Sequence, residues 1–263
     1  MSATPPPLKP TTRLDPRHEL APAMPGWVRI PSLELGPRSY ELPPPETALT
    51  LWPCSEAEAA AAWLRASGRE CTVDSAPQVE TPDARWRLWR PHAFLEEAVA
   101  AEPAGFALDL ACGVGRESVF LADRGWRVVG IDWLPDALLR AAALERRYVA
   151  PGAPPIAWCV RDLENPEQWR DPLQPAAFDV ICCFRFLHRP LLQSAWRWLR
   201  PGGRLVVETF TILHQARYAR PRRAALVLNS GELPQLADNL SVLHFSEDWH
   251  GEAHTARLIA QRG

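Results

Sequence analysis

The chain has 263 residues, of which 47% are hydrophobic and 23% charged, with a formal net charge of −2 at pH 7. That length allows one large domain or two modest ones, and that composition excludes a chain disordered throughout. The balance of 29 basic against 31 acidic residues gives no general pull towards nucleic acid or an anionic membrane. No run approaches the roughly 18 uninterrupted apolar residues of a membrane span. Residues 1–10 are polar and proline-rich and lack the apolar centre of a secretory signal. A cytoplasmic protein is therefore expected.

Thirteen of the 28 prolines fall within residues 1–53. Long helices are excluded there, because proline has no amide donor and clashes inside a helix. Residues 1–10 are expected to be a disordered tail. Residues 48–52 read as a short buried strand, 56–66 as an alanine-rich helix closed by Gly68, and 70–74 as a further strand. Residues 75–83 contain Pro77 and Pro82 and no apolar period, the pattern of a linker. The expected divisions are a module over 11–76, a linker over 77–90 and a second domain over 91–263.

From residue 91 the pattern becomes regular. An amphipathic helix is expected over 91–100, with Pro91 at its tolerated first position. Strands at 106–110, 127–131, 156–160, 178–184 and 204–209 then alternate with helices at 116–124, 136–149 and 191–199. This alternation predicts a parallel sheet covered by helices on both faces. Residues 240–245 and 255–260 read as two strands with no helix between them, an antiparallel pair at the sheet edge. The six cysteines form no Cys-x-x-Cys pair and no spacing suited to zinc. They are expected as small buried residues in a reducing cell.

The segment that carries chemistry is Leu108-Asp109-Leu110-Ala111-Cys112-Gly113-Val114-Gly115. A buried strand enters a glycine turn and a helix follows. Gly113 and Gly115 have no Cβ, so the backbone there can approach a ligand closely and adopt unusual dihedrals, and the next helix offers free amide donors. Taken alone, Gly-x-Gly is weak. Asp132, at the tip of the second strand, strengthens it, because a carboxylate there can bind a ribose diol. Asp162 follows the third strand. A dinucleotide site, and with it a nicotinamide oxidoreductase, is the competing reading. Its fingerprint needs a glycine where this chain has Ser118, and it does not account for the terminal antiparallel pair.

On these residues the chain from about 85 to 263 resembles the class I methyltransferases that use S-adenosylmethionine. The resemblance implies a Rossmann-like α/β fold with a seven-stranded, mostly parallel sheet whose last strand is antiparallel. It implies that Asp109, Ala111, Cys112, Gly113 and Gly115 hold the methionine end of S-adenosylmethionine. It further implies that Asp132 binds the ribose hydroxyls, Trp133 lines the adenine slot, Asp162 accepts from the adenine amine and Leu163 packs on the ring. Cys183, Phe184 and Arg185 would sit beneath the reactive methyl. Ala111 departs from the family pattern, where glycine is commoner. Within the class, Glu208-Thr209-Phe210-Thr211, the Arg220 to Arg223 run and Gly231-Glu232-Leu233 resemble small bacterial methyltransferases of the tellurite-resistance type.

The N-terminal part resembles a rhodanese domain, on Leu14-Asp15-Pro16-Arg17, Pro25-Gly26-Trp27-Val28-Arg29 and the strand, loop and helix of 49–68. Rhodaneses carry a cysteine nucleophile in a loop that cradles an anionic sulfur substrate. Cys54 stands close to that place, but Ser55-Glu56-Ala57-Glu58 follows it, and two carboxylates would repel an anion and raise the thiol pKa. A small, degenerate, inactive rhodanese-like module is expected.

The function expected is methylation of a small-molecule acceptor; the alternative is a non-catalytic S-adenosylmethionine-binding sensor. His188 is the candidate general base, or else orients the following helix. Arg185 and the Arg220 to Arg223 run either bind an acidic substrate or form a solvated loop. Trp86, Trp89 and Arg90 either close over the cofactor or pack the two parts together. Nucleic-acid methylation is disfavoured, because Cys183-Phe184-Arg185-Phe186 stands where base-amino methyltransferases resemble one another in a polar residue, two prolines and an aromatic.

Overall fold

A register of short parallel strands builds the first of two units, Met1–Arg90 and Pro91–Gly263, in a computed structural model that describes residues 6–169 and 175–263. Strands β1 (Leu8–Pro10), β2 (Arg13–Asp15), β3 (Val28–Arg29), β4 (Leu49–Leu51), β5 (Cys71–Val73) and β6 (Arg85–Arg87) and helix α1 (Ala57–Ala66) make up this unit. Four of the strands form a parallel sheet in the order β3-β2-β4-β5. Helix α1 buries Ala57, Ala60, Ala61 and Leu64, the spacing of one helical face, in a core with Leu14, Leu49 and Leu51. Strand β1 pairs in parallel with β6. The tail expected over 1–10 therefore contributes a strand from residue 8, and the linker expected over 77–90 contains another; residues 1–5 lie outside the described residues. Neither strand is legible locally, because each pairs with the other from the far end of the unit.

The second unit contains α2 (Ala93–Val99), β7 (Phe106–Leu110), α3 (Arg116–Asp123), β8 (Arg127–Asp132), α4 (Pro135–Tyr148), β9 (Ala157–Val160), α5 (Pro166–Trp169), β10 (Phe178–Phe184), α6 (Arg189–Ser194), β11 (Leu199–Phe210), α7 (Ile212–Tyr218), β12 (Ser241–His250) and β13 (Ala253–Gln261). Its seven strands run β12-β13-β11-β10-β7-β8-β9. All neighbours from β11 to β9 are parallel, and β13 is antiparallel to both β11 and β12. This is the expected seven-stranded α/β sheet with a reversed last strand. The central strands are apolar on both faces, as in Val180-Ile181-Cys182-Cys183, because helices cover both sides.

Strand order decides where a ligand can sit. From β7 the chain builds outward through β8 and β9, then crosses back to β10 and β11. The crevice at the C-terminal ends, between β7 and β10, is thus the switch point at which open α/β sheets bind ligands. Pro201, Gly202 and Gly203 lie inside β11, whose start the sequence places at 204, and the register with β10 slips there. Helix α7 is absent from the sequence reading; Thr211 caps it by accepting from the Leu213 amide. No helix among the described residues is long and apolar enough to cross a membrane.

Candidate active site

The C-terminal strand ends enclose a cleft of about 520 Å³, within the usual range for a small-molecule site. On one side stand Asp132, Trp133, Asp162 and Leu163, which follow β8 and β9; on the other stand Phe184, Arg185, Phe186 and Phe210, which end or follow β10 and β11. Ala111 and Gly113 form the floor between them, and Pro221, Arg223 and Leu226 come from the segment after α7. Arg223 pairs with Glu164 at 3.2 Å, so this segment reaches to the loop after β9.

Gly113 lies at φ +53, and a Cβ built on it would meet nothing within 4 Å. Its amide donates to Asp132 Oδ2 at 2.8 Å, while the Leu134 amide donates to Oδ1 at 3.0 Å. The Asp132 carboxylate is thereby fixed at the cleft wall with lone pairs left on both oxygens. The Trp133 ring is 65% exposed, an open apolar face inside a concave site. These features fit an adenosine-bearing ligand: a carboxylate for a diol, an aromatic wall for a base and an open glycine turn for the remainder. Ala111 is left-handed at φ +58. Glycine adopts that conformation without strain, whereas an L-residue there costs about 1–2 kcal/mol, which explains why the family favours glycine.

Four of the residues expected to hold the cofactor do not line the cleft. Asp109 is buried on β7, where its Oδ2 accepts from Ser118 Oγ at 2.6 Å and its Oδ1 from Cys182 Sγ at 3.5 Å. Burial, then the neighbouring Glu117, pushes its carboxyl up to about 7. Gly115 starts α3 at φ +77, and a Cβ there would lie 2.5 Å from the Trp158 ring and 2.8 Å from the Ala141 Cβ, so packing alone already requires glycine at this position. Cys112 and Cys183 are buried, and burial raises both thiols above their ordinary value.

His188 also stands outside the cleft lining. It precedes α6 with its ring against Trp169 at 6.2 Å and its Nδ1 buried without a partner among the described residues. Burial holds its imidazole below the ordinary value, against the raising effect of Glu164 and Asp162. Arg185 does line the cleft, in a left-handed conformation at φ +57. Its amide donates to the Glu208 carbonyl, and its guanidinium lies 5.2 Å from the Phe210 ring centroid.

Behind the lining runs a polar chain that the sequence does not announce. Arg257 Nε donates to Glu208 Oε2 at 2.7 Å, and His92 Nε2 lies 3.3 Å from Glu208 Oε1. His92 stacks on Phe184 with ring centroids 4.5 Å apart. Burial would raise the Glu208 carboxyl, but His92 and Arg257 hold it below the ordinary carboxylate range. The group fixes the ring of Phe184 at the cleft wall. Phe210 is likewise missed, although its place at the end of a parallel strand is a usable signal.

Residues 107–203 match the family model described as Methyltransferase domain. The uncharacterized methyltransferase sll0829 of Synechocystis sp. is 31% identical over 121 residues, covering 43% of this chain and 51% of its own. The chain spans about half the length, or less, of the curated relatives it matches. Among solved structures, TehB from Haemophilus influenzae superposes with a TM-score of 0.53 at 17% identity, over 66% of this chain and 63% of that one. The [4+2]-cyclase SpnF does so with a TM-score of 0.51 at 16% identity, over 65% and 78%. The second unit thus shares the fold of these solved structures, and residues 107–203 within it match the methyltransferase-domain model.

Proposed function

We propose that the protein transfers the methyl group of S-adenosylmethionine to a small-molecule acceptor. The observation that carries this reading is the open turn at Gly113 hydrogen-bonded to Asp132 at the switch point of the sheet. When bound, S-adenosylmethionine supplies an electrophilic methyl whose bond to sulfur breaks as the acceptor's bond to carbon forms, the electron pair passing to sulfur. Asp132 accepts from the ribose hydroxyls, Trp133 and Leu163 flank the adenine, and Asp162 accepts from its amine. Ala111 and Gly113 leave room for the methionine end. Phe184 and Arg185 face the acceptor.

In-line transfer depends chiefly on alignment, so positioning by these walls supplies much of the acceleration. His188 is assigned no proton transfer, since it stands outside the lining; a pH–rate profile changed by His188→Ala would reverse that assignment. A cytoplasmic setting belongs to the proposal and is supported by six free cysteines. So does the narrower tellurite-resistance type. SpnF is a reminder that this fold alone does not fix the chemistry.

The first unit is read as a degenerate rhodanese-like module, supported by its parallel sheet and the strand–loop–helix around Cys54. Thiosulfate:cyanide sulfurtransferase activity lost on Cys54→Ala would refute this.

Calorimetric titration with S-adenosylmethionine and S-adenosylhomocysteine tests the main reading. Wild-type protein binds both, and Asp132→Ala loses at least tenfold in affinity, about 1.4 kcal/mol. Folded protein that binds neither refutes it. Binding without transfer of radiolabelled methyl to any cell-extract fraction would favour the sensor instead.

A further inference from the structure

The two sides of the cleft differ in charge and in surface. Asp132 and Asp162 stand on the β8–β9 side, and the Glu164 carboxylate after β9 is engaged by Arg223. Arg161 on that side donates to the Gln168 carbonyl at 3.2 Å. On the β10–β11 side the charged lining residue is Arg185, and among the described residues no carboxylate pairs with its guanidinium. Its Cζ lies 5.2 Å from the Phe210 ring centroid, and its guanidinium N–H groups have no hydrogen-bond partner among the described residues. Around it stand Phe184, Phe186 and Phe210, with Leu226 and Pro221 across the cleft. The backbone holds Arg185 in a left-handed conformation that a long side chain rarely adopts, and such strain persists where the surroundings fix a side chain for use.

We propose that the methyl acceptor is a small planar carboxylate whose anionic group is held by Arg185 against Phe210, while its flat body lies among Phe184, Phe186 and Leu226. The proposal rests on the methyltransferase reading of the same cleft. A guanidinium presents its donors in a planar fork that matches a carboxylate edge to edge. One unpaired guanidinium balances one negative charge. A dianionic phosphate would face Asp132 and Asp162, and Arg161, a lining cation with no carboxylate partner among the described residues, stands beside them on that side of the cleft, away from Arg185. Arg223 is already held by Glu164. A neutral acceptor would leave the free edge of Arg185 unmatched, and a cationic one would be repelled by it.

The test titrates benzoate and its neutral isostere benzamide into protein saturated with S-adenosylhomocysteine. The wild type binds benzoate at least tenfold more tightly than benzamide. Arg185→Gln abolishes that preference and Arg185→Lys retains part of it, while both variants bind S-adenosylhomocysteine as the wild type does. Equal binding of acid and amide, no benzoate binding at millimolar concentration, or a preference that survives in Arg185→Gln would overturn the proposal. Failure of the wild type to bind S-adenosylhomocysteine would instead refute the methyltransferase reading, and the acid–amide comparison on the free protein would then judge the Arg185 site separately.

Discussion

Each unit contains a parallel strand that runs through a short loop into a helix, and the two loops have opposite surroundings. In the first unit, β4 leads through Cys54, Ser55 and Glu56 into α1. Ser55 Oγ donates to the Glu56 carboxylate at 2.7 Å beside the thiol. Burial raises the Cys54 thiol above its ordinary value, and the Glu56 carboxylate raises it further against a lowering backbone hydrogen bond. In the second unit, β7 leads through Ala111, Cys112 and Gly113 into α3. There the loop borders a cleft, and the carboxylate that its Gly113 amide meets, Asp132, comes from the adjacent strand. The same topology thus gives one loop with a carboxylate beside its thiol and one that borders a cleft. What decides is whether the loop itself carries acidic side chains.

The sharpest way to break this comparison is inside the second loop, where two glycines have opposite reasons to be glycine. Gly115→Ala is expected to lower stability by about 2–5 kcal/mol, combining left-handed strain with a clash against Trp158. Gly113→Ala, with open space at its Cβ position, should cost only the backbone part, about 1–2 kcal/mol, and should act mainly on S-adenosylhomocysteine affinity. Urea unfolding of both variants measures this. A Gly115→Ala protein as stable as Gly113→Ala would show that the ligand, not Trp158, selects both glycines.

An effect spread over a range of pH comes from Asp109 beneath the same loop. Its carboxyl is raised to about 7, so between its unfolded value near 3.8 and 7 the folded state holds a proton that the unfolded state has lost. Stability is full below the unfolded pKa and falls as pH rises through that window, by up to about 1.4 kcal/mol per unit from this group. Asp109→Asn removes that slope. Parallel stability–pH curves for variant and wild type from pH 4 to 7 would contradict the burial argument.

The smallest effect is expected in the first loop. Glu56→Gln removes the carboxylate beside Cys54 and lowers the thiol pKa. Alkylation of Cys54 near pH 8 then speeds up, by less than about tenfold, because burial still disfavours the thiolate. An unchanged alkylation rate would mean that burial alone controls the thiol and that the two loops differ less than their charges imply.

How much of this was legible depends on the distance over which each feature is determined. The strand–helix alternation of the second unit is written in local apolar periodicity. The Gly113 turn and Asp132 are likewise local, because a turn conformation and the tip of a strand are set within a few residues. These gave the fold and one side of the cleft. Asp109, Cys112 and Cys183 share the motif's segments but face inward, and motif membership does not reveal which way a side chain points. Gly115 looked like its neighbour Gly113 until Trp158 was in place over it.

The sequence by itself therefore determined a doubly wound sheet, a glycine turn at its switch point and the acidic side of the cleft, because local periodicity and turn chemistry require only neighbouring residues. Tertiary structure alone decided the rest. It paired β1 with β6, assembled His92, Glu208 and Arg257 behind Phe184, and set Arg185 over Phe210 opposite the acidic wall. Each of these joins residues distant in the chain, where contact depends on how whole strands and helices pack, and no local pattern carries that information.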